Sequence, residues 1–192
     1  MSSPLATALW IVGPVALAGL TQVAVIKLGL FRALAARPLD CGVVFRGQRL
    51  FGENKTFRGL VVMIVATAGW VAIFEGLAAW CHWPAGLSAP FQQAHPLLWG
   101  ALAGAGYVAG ELPNSFIKRQ LGIAAGAAAA GAARLFFWII DQVDSVAGVL
   151  LFLYPVWHPS GAVVACLFGV TLLIHPLVAL VMFCLGLKNR IG

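Results

Sequence analysis

At 192 residues, 61% of them hydrophobic, and with a mean hydropathy of +0.96, the chain is too apolar for a soluble domain, whose apolar share is nearer about 45–50%. Its 12 basic and 6 acidic residues give a net charge of +6. The bases lie in short segments between apolar runs, where membrane topology accounts for them, so no nucleic-acid partner is expected.

The predicted fold is all-α, a polytopic integral membrane helical bundle of about five transmembrane helices, forming a single domain over residues 1–192. A bilayer core of about 30 Å needs about 20 apolar residues in a helix. Residues 5–30 meet that length. They lack a basic n-region, so they read as a retained span and not as a removable signal. Residues 59–80 form a second span that carries Glu75. Residues 96–112 form a shorter third. Residues 134–157 are long enough for a fourth but hold Asp141 and Asp144 near their middle. A charged Asp at mid-bilayer costs about 2.5–3.5 kcal/mol on insertion scales. The span proper is therefore expected to begin near Asp144, with a short apolar segment before it folded onto the membrane or onto other helices. Residues 161–187 form the last span.

The positive-inside rule orients this arrangement. Loop 31–58 holds Arg32, Arg37, Arg46, Arg49, Lys55 and Arg58. Loop 113–140 holds Lys118, Arg119 and Arg134, the tail holds Lys188 and Arg190, and Lys27 ends the first span. All 12 bases then share one side. The N-terminus is expected outside, and the C-terminus and two large loops in the cytoplasm, making a multi-pass protein of the cell membrane. The cysteines show no CxxC or Cys/His zinc spacing and read as unpaired thiols.

The polar chemistry collects in those two loops. The first ends in FRGQRLFGENKTFRG, residues 45–59. Its glycines allow tight turns and close backbone approach. Asn54, Lys55, Thr56 and Arg58 supply donors suited to phosphate. The Walker A spacing is absent. The second carries GELPNSFIKRQLGI, residues 110–123, with Glu111, Ser115, Lys118 and Arg119, followed by DQVDS at 141–145. The DxxD spacing puts both carboxylates on one helical face. Such a pair is suited to Mg²⁺, which takes a few carboxylates plus substrate phosphates. Capping of a helix by Asp144 accounts for the spacing equally well. Metal-binding acids beside phosphate-binding cations describe a site for a polyphosphate nucleotide from water and an amphiphile from the bilayer.

LFGENKTFRG, GELPNSFIKRQLGI and DQVDS, in that order, resemble the CDP-archaeol synthase family, within the CTP-dependent lipid cytidylyltransferases that include CDP-diacylglycerol synthase. The resemblance covers nearly the whole chain. It implies Mg²⁺-dependent transfer of a cytidylyl group from CTP to a lipid phosphate, giving a CDP-lipid and pyrophosphate. It assigns Asp141 and Asp144 to the metal, with Glu111 as a third carboxylate. Lys118 and Arg119 would neutralise phosphate charge, and Ser115 would hydrogen-bond phosphate oxygens. Asn54, Lys55, Thr56 and Arg58 would bind nucleotide or phosphate. The acceptor is open between an archaetidic-acid-like ether lipid phosphate and phosphatidic acid, and the oligomeric state is not fixed. One departure is the length of the segment between Arg119 and Asp141, read as a lid or as an interfacial helix anchored by Phe136, Phe137 and Trp138.

Two other classes compete. A transporter of a phosphorylated solute favours inverted repeats and a midplane site, which the one-sided charge distribution disfavours. A non-catalytic scaffold that binds anionic headgroups needs no acids among its bases, so Asp141, Asp144 and Glu111 count against it.

Overall fold

A computed structural model describes residues 3–82, 90–131 and 133–184. The tail with Lys188 and Arg190, and residues 83–89 of the expected outer segment, lie outside the described residues.

Five long helices carry the fold: α1 (Pro4–Lys27), α3 (Phe57–Trp80), α4 (Pro96–Gln120), α5 (Ala133–Leu153) and α6 (Gly161–Cys184). A four-residue helix α2 (Arg32–Ala35) and a hairpin of β1 (Val44–Phe45) and β2 (Gln48–Arg49) occupy the segment between α1 and α3. The helices begin where the sequence gives them caps. Ser3 Oγ accepts from Ala6 N at 3.1 Å ahead of Pro4, and Thr56 Oγ1 accepts from Gly59 N at 3.4 Å. His95 Nδ1 accepts from Leu97 N at 3.3 Å ahead of Pro96. Each oxygen or ring nitrogen satisfies an N–H that has no partner inside its helix.

By length and composition α1, α3, α5 and α6 are apolar enough to cross a membrane. Their outer surfaces carry apolar side chains such as Val65, Leu151 and Leu173. A helix apolar all round is one that meets lipid or a core on every side. The protein is thus a helical membrane protein. α4 has the same length but carries Glu111, Lys118 and Arg119 in its last third.

The long helices close a ring in the order α1, α3, α4, α5, α6 and back to α1, each packing chiefly on two neighbours. α4 is drawn tightly against both of its neighbours by glycines. A Cβ on Gly100 would sit 2.5 Å from Ala68 Cα, and one on Gly104 would sit 2.5 Å from Met63 O, both on α3. A Cβ on Gly106 would sit 2.5 Å from Gly148 O on α5, and Gly110 faces the same helix. These are two small-xxx-small seams on opposite faces of one helix, the pattern that lets backbones touch in a membrane. At the end of the ring remote from the charges, Trp99 is fully buried against Phe91, with ring centroids 4.6 Å apart, and lies 6.1 Å from Trp157.

Two sequence expectations change. Residues 113–120 are not loop: α4 runs through Pro113 to Gln120. α5 also does not begin near Asp144; it starts at Ala133, so both aspartates lie inside one continuous helix and Asp144 caps nothing. The insertion penalty that argued for a break is offset because the charged face of α5 turns toward polar groups of α4. Phe137 corrects a third expectation. It is buried, not a membrane anchor, while Phe136 and Trp138 are exposed.

Candidate active site at the α4–α5 seam

The charged end of α4 presents one stripe. Tyr107, Glu111, Asn114 and Lys118 follow at spacings of four, three and four, so they share a helical face. That stripe meets Asp141, Asp144 and Ser145 of α5. The Asn114 amide nitrogen lies 2.6 Å from Asp141 Oδ1 and 2.8 Å from Asp144 Oδ2, donating to both. The Lys118 ammonium pairs with Asp141, at 2.7 Å from Oδ2. It also lies 5.4 Å from the centre of the Phe137 ring, a cation–π contact. The glycine contacts between α4 and α5 set these distances, because no side chain separates the two backbones.

The segment between α1 and α3 brings a second set of groups to the same place. Asp40 is its organiser. Its buried carboxylate accepts from Gly42 N at 3.0 Å, Phe51 N at 3.2 Å and Gly52 N at 3.1 Å, and it forms an ion pair with Arg49. Burial pushes this carboxyl up, but the Arg49 guanidinium and three backbone N–H groups outweigh it and hold the group at about 2, below the usual 3.8. Arg49 in turn is pushed up by its bond to Asp40. The hairpin turns at Arg46 and Gly47, both at positive φ (52° and 78°), as a two-residue turn of the I′ kind requires. It docks on α4 through Phe45 and Phe116, whose rings are 6.0 Å apart.

Leu39 N donates to Lys55 O at 2.7 Å, and Phe57 N to Arg37 O at 3.0 Å. These bonds deliver Asn54, Lys55 and Thr56 to the rim of α4. Lys55 forms an ion pair with Glu111. A polar cavity of about 210 Å³ opens there, walled by Gln22, Asn54, Lys55, Thr56, Tyr107 and Glu111.

Arg119 stands where the two sets meet. It is buried, and its Nε and Nη1 have no hydrogen-bond partner among the described residues. Nη1 would lie 3.4 Å from a Cβ on Gly52, which itself sits at φ +95°. Only glycine suits that φ without strain, and its missing side chain leaves the guanidinium its room.

The structure thus brings together Lys118, Asp141 and Asp144 in the seam, and Asn54, Lys55, Thr56 and Glu111 around the pocket. It does not bring in Arg58, whose Nη1 donates to Leu30 O at 3.4 Å on the surface. Thr56 uses its hydroxyl to cap α3. Ser115 is half-buried beside the stripe. Glu111 is turned to Lys55, and among the described residues no three acidic, His or Cys side chains form a group that could hold a metal. The sequence reading missed Asn114, Tyr107 and Asp40. Their signals were the four-three-four spacing once residues 110–120 are helical, and an acid two residues before a glycine, the Asx-turn pattern.

The chain is similar to known proteins over most of its length. The family model for CarS-like CDP-archaeol synthase matches residues 5–191. The CDP-archaeol synthase of Methanopyrus kandleri is 35% identical over 156 residues, 80% of this chain and 78% of that protein. That of Aeropyrum pernix is 34% identical over 159 residues, 80% of this chain and 77% of that protein. A solved structure described as an intramembrane enzyme for archaeal membrane lipids biosynthesis superposes with a TM-score of 0.60 at 26% identity, over 88% of this chain and 89% of the other. With its motifs, its helical membrane architecture and these relatives in agreement, the chain belongs to the CDP-archaeol synthase family.

Proposed function

We propose that this protein is a Mg²⁺-dependent CTP:lipid-phosphate cytidylyltransferase at the cytoplasmic face of the cell membrane. A phosphate oxygen of the lipid bonds to the α-phosphorus of CTP as the bond from that phosphorus to the bridging β-phosphate oxygen breaks. The products are a CDP-lipid and pyrophosphate. The acceptor phosphate is already anionic, so the reaction needs no general base. Positioning and charge neutralisation carry it.

The observation that supports this reading most is Arg119. A buried guanidinium with two unpaired nitrogens is costly unless an anion completes it. A triphosphate arriving beside Gly52 and Asn54 does so. Lys118 adds a second cation one residue away, and the Ser115 hydroxyl donates to a phosphate oxygen.

The residues fit a divalent cation. Asp141 Oδ1 and Asp144 Oδ2 converge on one point, at present the Asn114 amide nitrogen. Asn114 Oδ1 is buried without a partner. Turning the amide over gives three oxygens at one place, the hard donor set Mg²⁺ takes. Asp141, Asp144 and Asn114 would hold it, and when bound it neutralises charge on the transferring phosphoryl group. Glu111 stays with Lys55 and steers that cation. Lys55, Asn54 and Thr56 line the pocket for the acceptor's phosphate, and Arg58 is left to the membrane boundary. The clustering of basic residues on the expected inner side supports a cytoplasmic site.

The test uses purified protein in detergent with Mg²⁺ and radiolabelled CTP, offered phosphatidic acid or an archaeol-type ether lipid phosphate. Wild-type protein is expected to label one lipid. Asp144→Asn is expected to lower the rate by about 100-fold or more while eluting and melting as a folded protein. No labelled lipid with either acceptor would overturn the reading.

A further inference from the structure

Inside the ring, α1, α5 and α6 enclose an apolar groove of about 310 Å³, lined by side chains such as Ile11, Val149, Leu167 and Ile174. The groove and the polar pocket share three wall residues, Gly19, Val23 and Tyr107. Tyr107 is the polar one. It stands between Glu111, which lines the pocket, and Ser145, which lines the groove. Gly19 is the open one: a Cβ built there meets nothing within 4 Å. Most other glycines of the bundle's interior seams are forced by backbone contact; this one is not.

Building on the cytidylyltransferase reading, we propose that groove and pocket are two halves of one amphiphile site joined by a neck at Gly19 and Tyr107. The hydrocarbon chains of the lipid phosphate lie in the groove, and its phosphate reaches Lys55 in the pocket. An apolar lining of this volume beside a polar chamber matches an occupant with both characters, and burial of its chains supplies affinity in proportion to area. Gly19 keeps the neck open for the linkage between chains and phosphate. Tyr107 is a positioning residue. It fixes the Glu111 carboxylate, which holds the Lys55 ammonium where the phosphate arrives. The nucleotide approaches from the other side, over Arg119 and the aspartates, so the neck discriminates between the two substrates.

The variants follow from the geometry. Gly19→Leu fills open space, so it folds. Gly169→Leu on α6, where a Cβ also meets nothing within 4 Å, is the control for an added side chain. Initial rates are measured with each substrate varied at saturating amounts of the other. Gly19→Leu is expected to raise KM for the lipid phosphate by about tenfold or more and to leave KM for CTP within about twofold. Tyr107→Phe is expected to shift the same constant by about three- to fivefold, with CTP again unmoved. Gly169→Leu is expected to match wild type. Equal shifts for both substrates, a fall in kcat alone, or a Gly19→Leu enzyme that behaves like the control would each overturn the proposal.

A second measurement separates this proposal from the reaction it rests on. Phosphatidic acid with a diazirine in its chain is photolysed on the protein without CTP. Label confined to the inner faces of α1, α5 and α6, displaced by plain phosphatidic acid but not by diacylglycerol and lost in Gly19→Leu, supports the site even for a protein that makes no CDP-lipid. Label spread evenly over the outer helix surfaces overturns the site even for an active enzyme.

Discussion

Two regions bring charge to Glu111 and its neighbours, and they are built on opposite principles. In the α4–α5 seam the controlling residues have no side chains. Gly106, Gly110 and Gly148 let the two backbones meet, and that contact alone places Asn114 within 2.8 Å of both aspartates. In the segment between α1 and α3 one side chain controls nearly everything. Asp40 holds three backbone N–H groups and Arg49, and through them the turn that carries Asn54 and Lys55. The seam is fixed by steric contact, which has no soft direction. The loop is fixed by a carboxylate whose bonds depend on its charge. The acids therefore sit on the stiff element and the pocket rim on the adjustable one.

The steepest way to break the comparison is in the seam. A Cβ on Gly148 meets the backbone of Gly106 and Gly110 at distances no relaxed structure shows. Gly148→Leu is therefore expected to cost more than about 3 kcal/mol and to abolish a cooperative melt in detergent. Gly69→Leu on α3, where a Cβ meets nothing within 4 Å, is expected to melt as wild type. If Gly148→Leu melts normally, backbone contact does not set the seam.

The next effect falls where the regions join. Arg119→Met removes a buried charge with unpaired nitrogens, so the protein without nucleotide is expected to melt no lower than wild type. KM for CTP is expected to rise by about 10- to 100-fold. A destabilised protein with normal CTP affinity would show instead that Arg119 ties the loop to the seam.

How much of this was legible depended on whether a residue's setting could be read locally. The bundle was legible, because continuous apolar runs and one-sided basic residues are strong signals. So was the gathering of Lys118 near Asp141 and of Lys55 beside Asn54 and Thr56. What hid the rest was one boundary. Pro113 and a charge-rich stretch read as loop, yet Pro113 sits inside α4, where tight packing against α3 and α5 holds the helix through the lost hydrogen bond. Treated as loop, residues 110–120 have no faces, so the stripe from Tyr107 to Lys118 could not be drawn. Asn114 then stayed an unremarked letter between proline and serine. Capping by Asp144 stayed open beside its metal role for the same reason: with α4 ending early, α5 had no polar neighbour to face. Asp40 was only half visible. Its bond to Gly42 follows the local Asx-turn pattern, but its other partners lie 9 to 12 residues downstream, and no local pattern announces those.

The smallest effect is the one that sharpens the contrast. Asp40 titrates at about 2 in the folded protein, below its ordinary 3.8. A depressed carboxylate stabilises the fold fully above its unfolded value and loses that contribution as pH falls toward its folded value. The difference amounts to about 2 kcal/mol at neutral pH. Asp40→Asn keeps the shape and removes the charge. Its melting temperature is expected to lie a few degrees below wild type at pH 7. The gap should narrow from about pH 4 downward and close near pH 2, as the wild-type carboxylate takes up its proton. The seam supplies the control, because the buried Val149 carries no titrating group and a Val149→Ala variant should keep a constant offset over the same range. A gap between Asp40→Asn and wild type that does not change with pH would mean that shape, not charge, holds the loop, and the two regions would then be built alike.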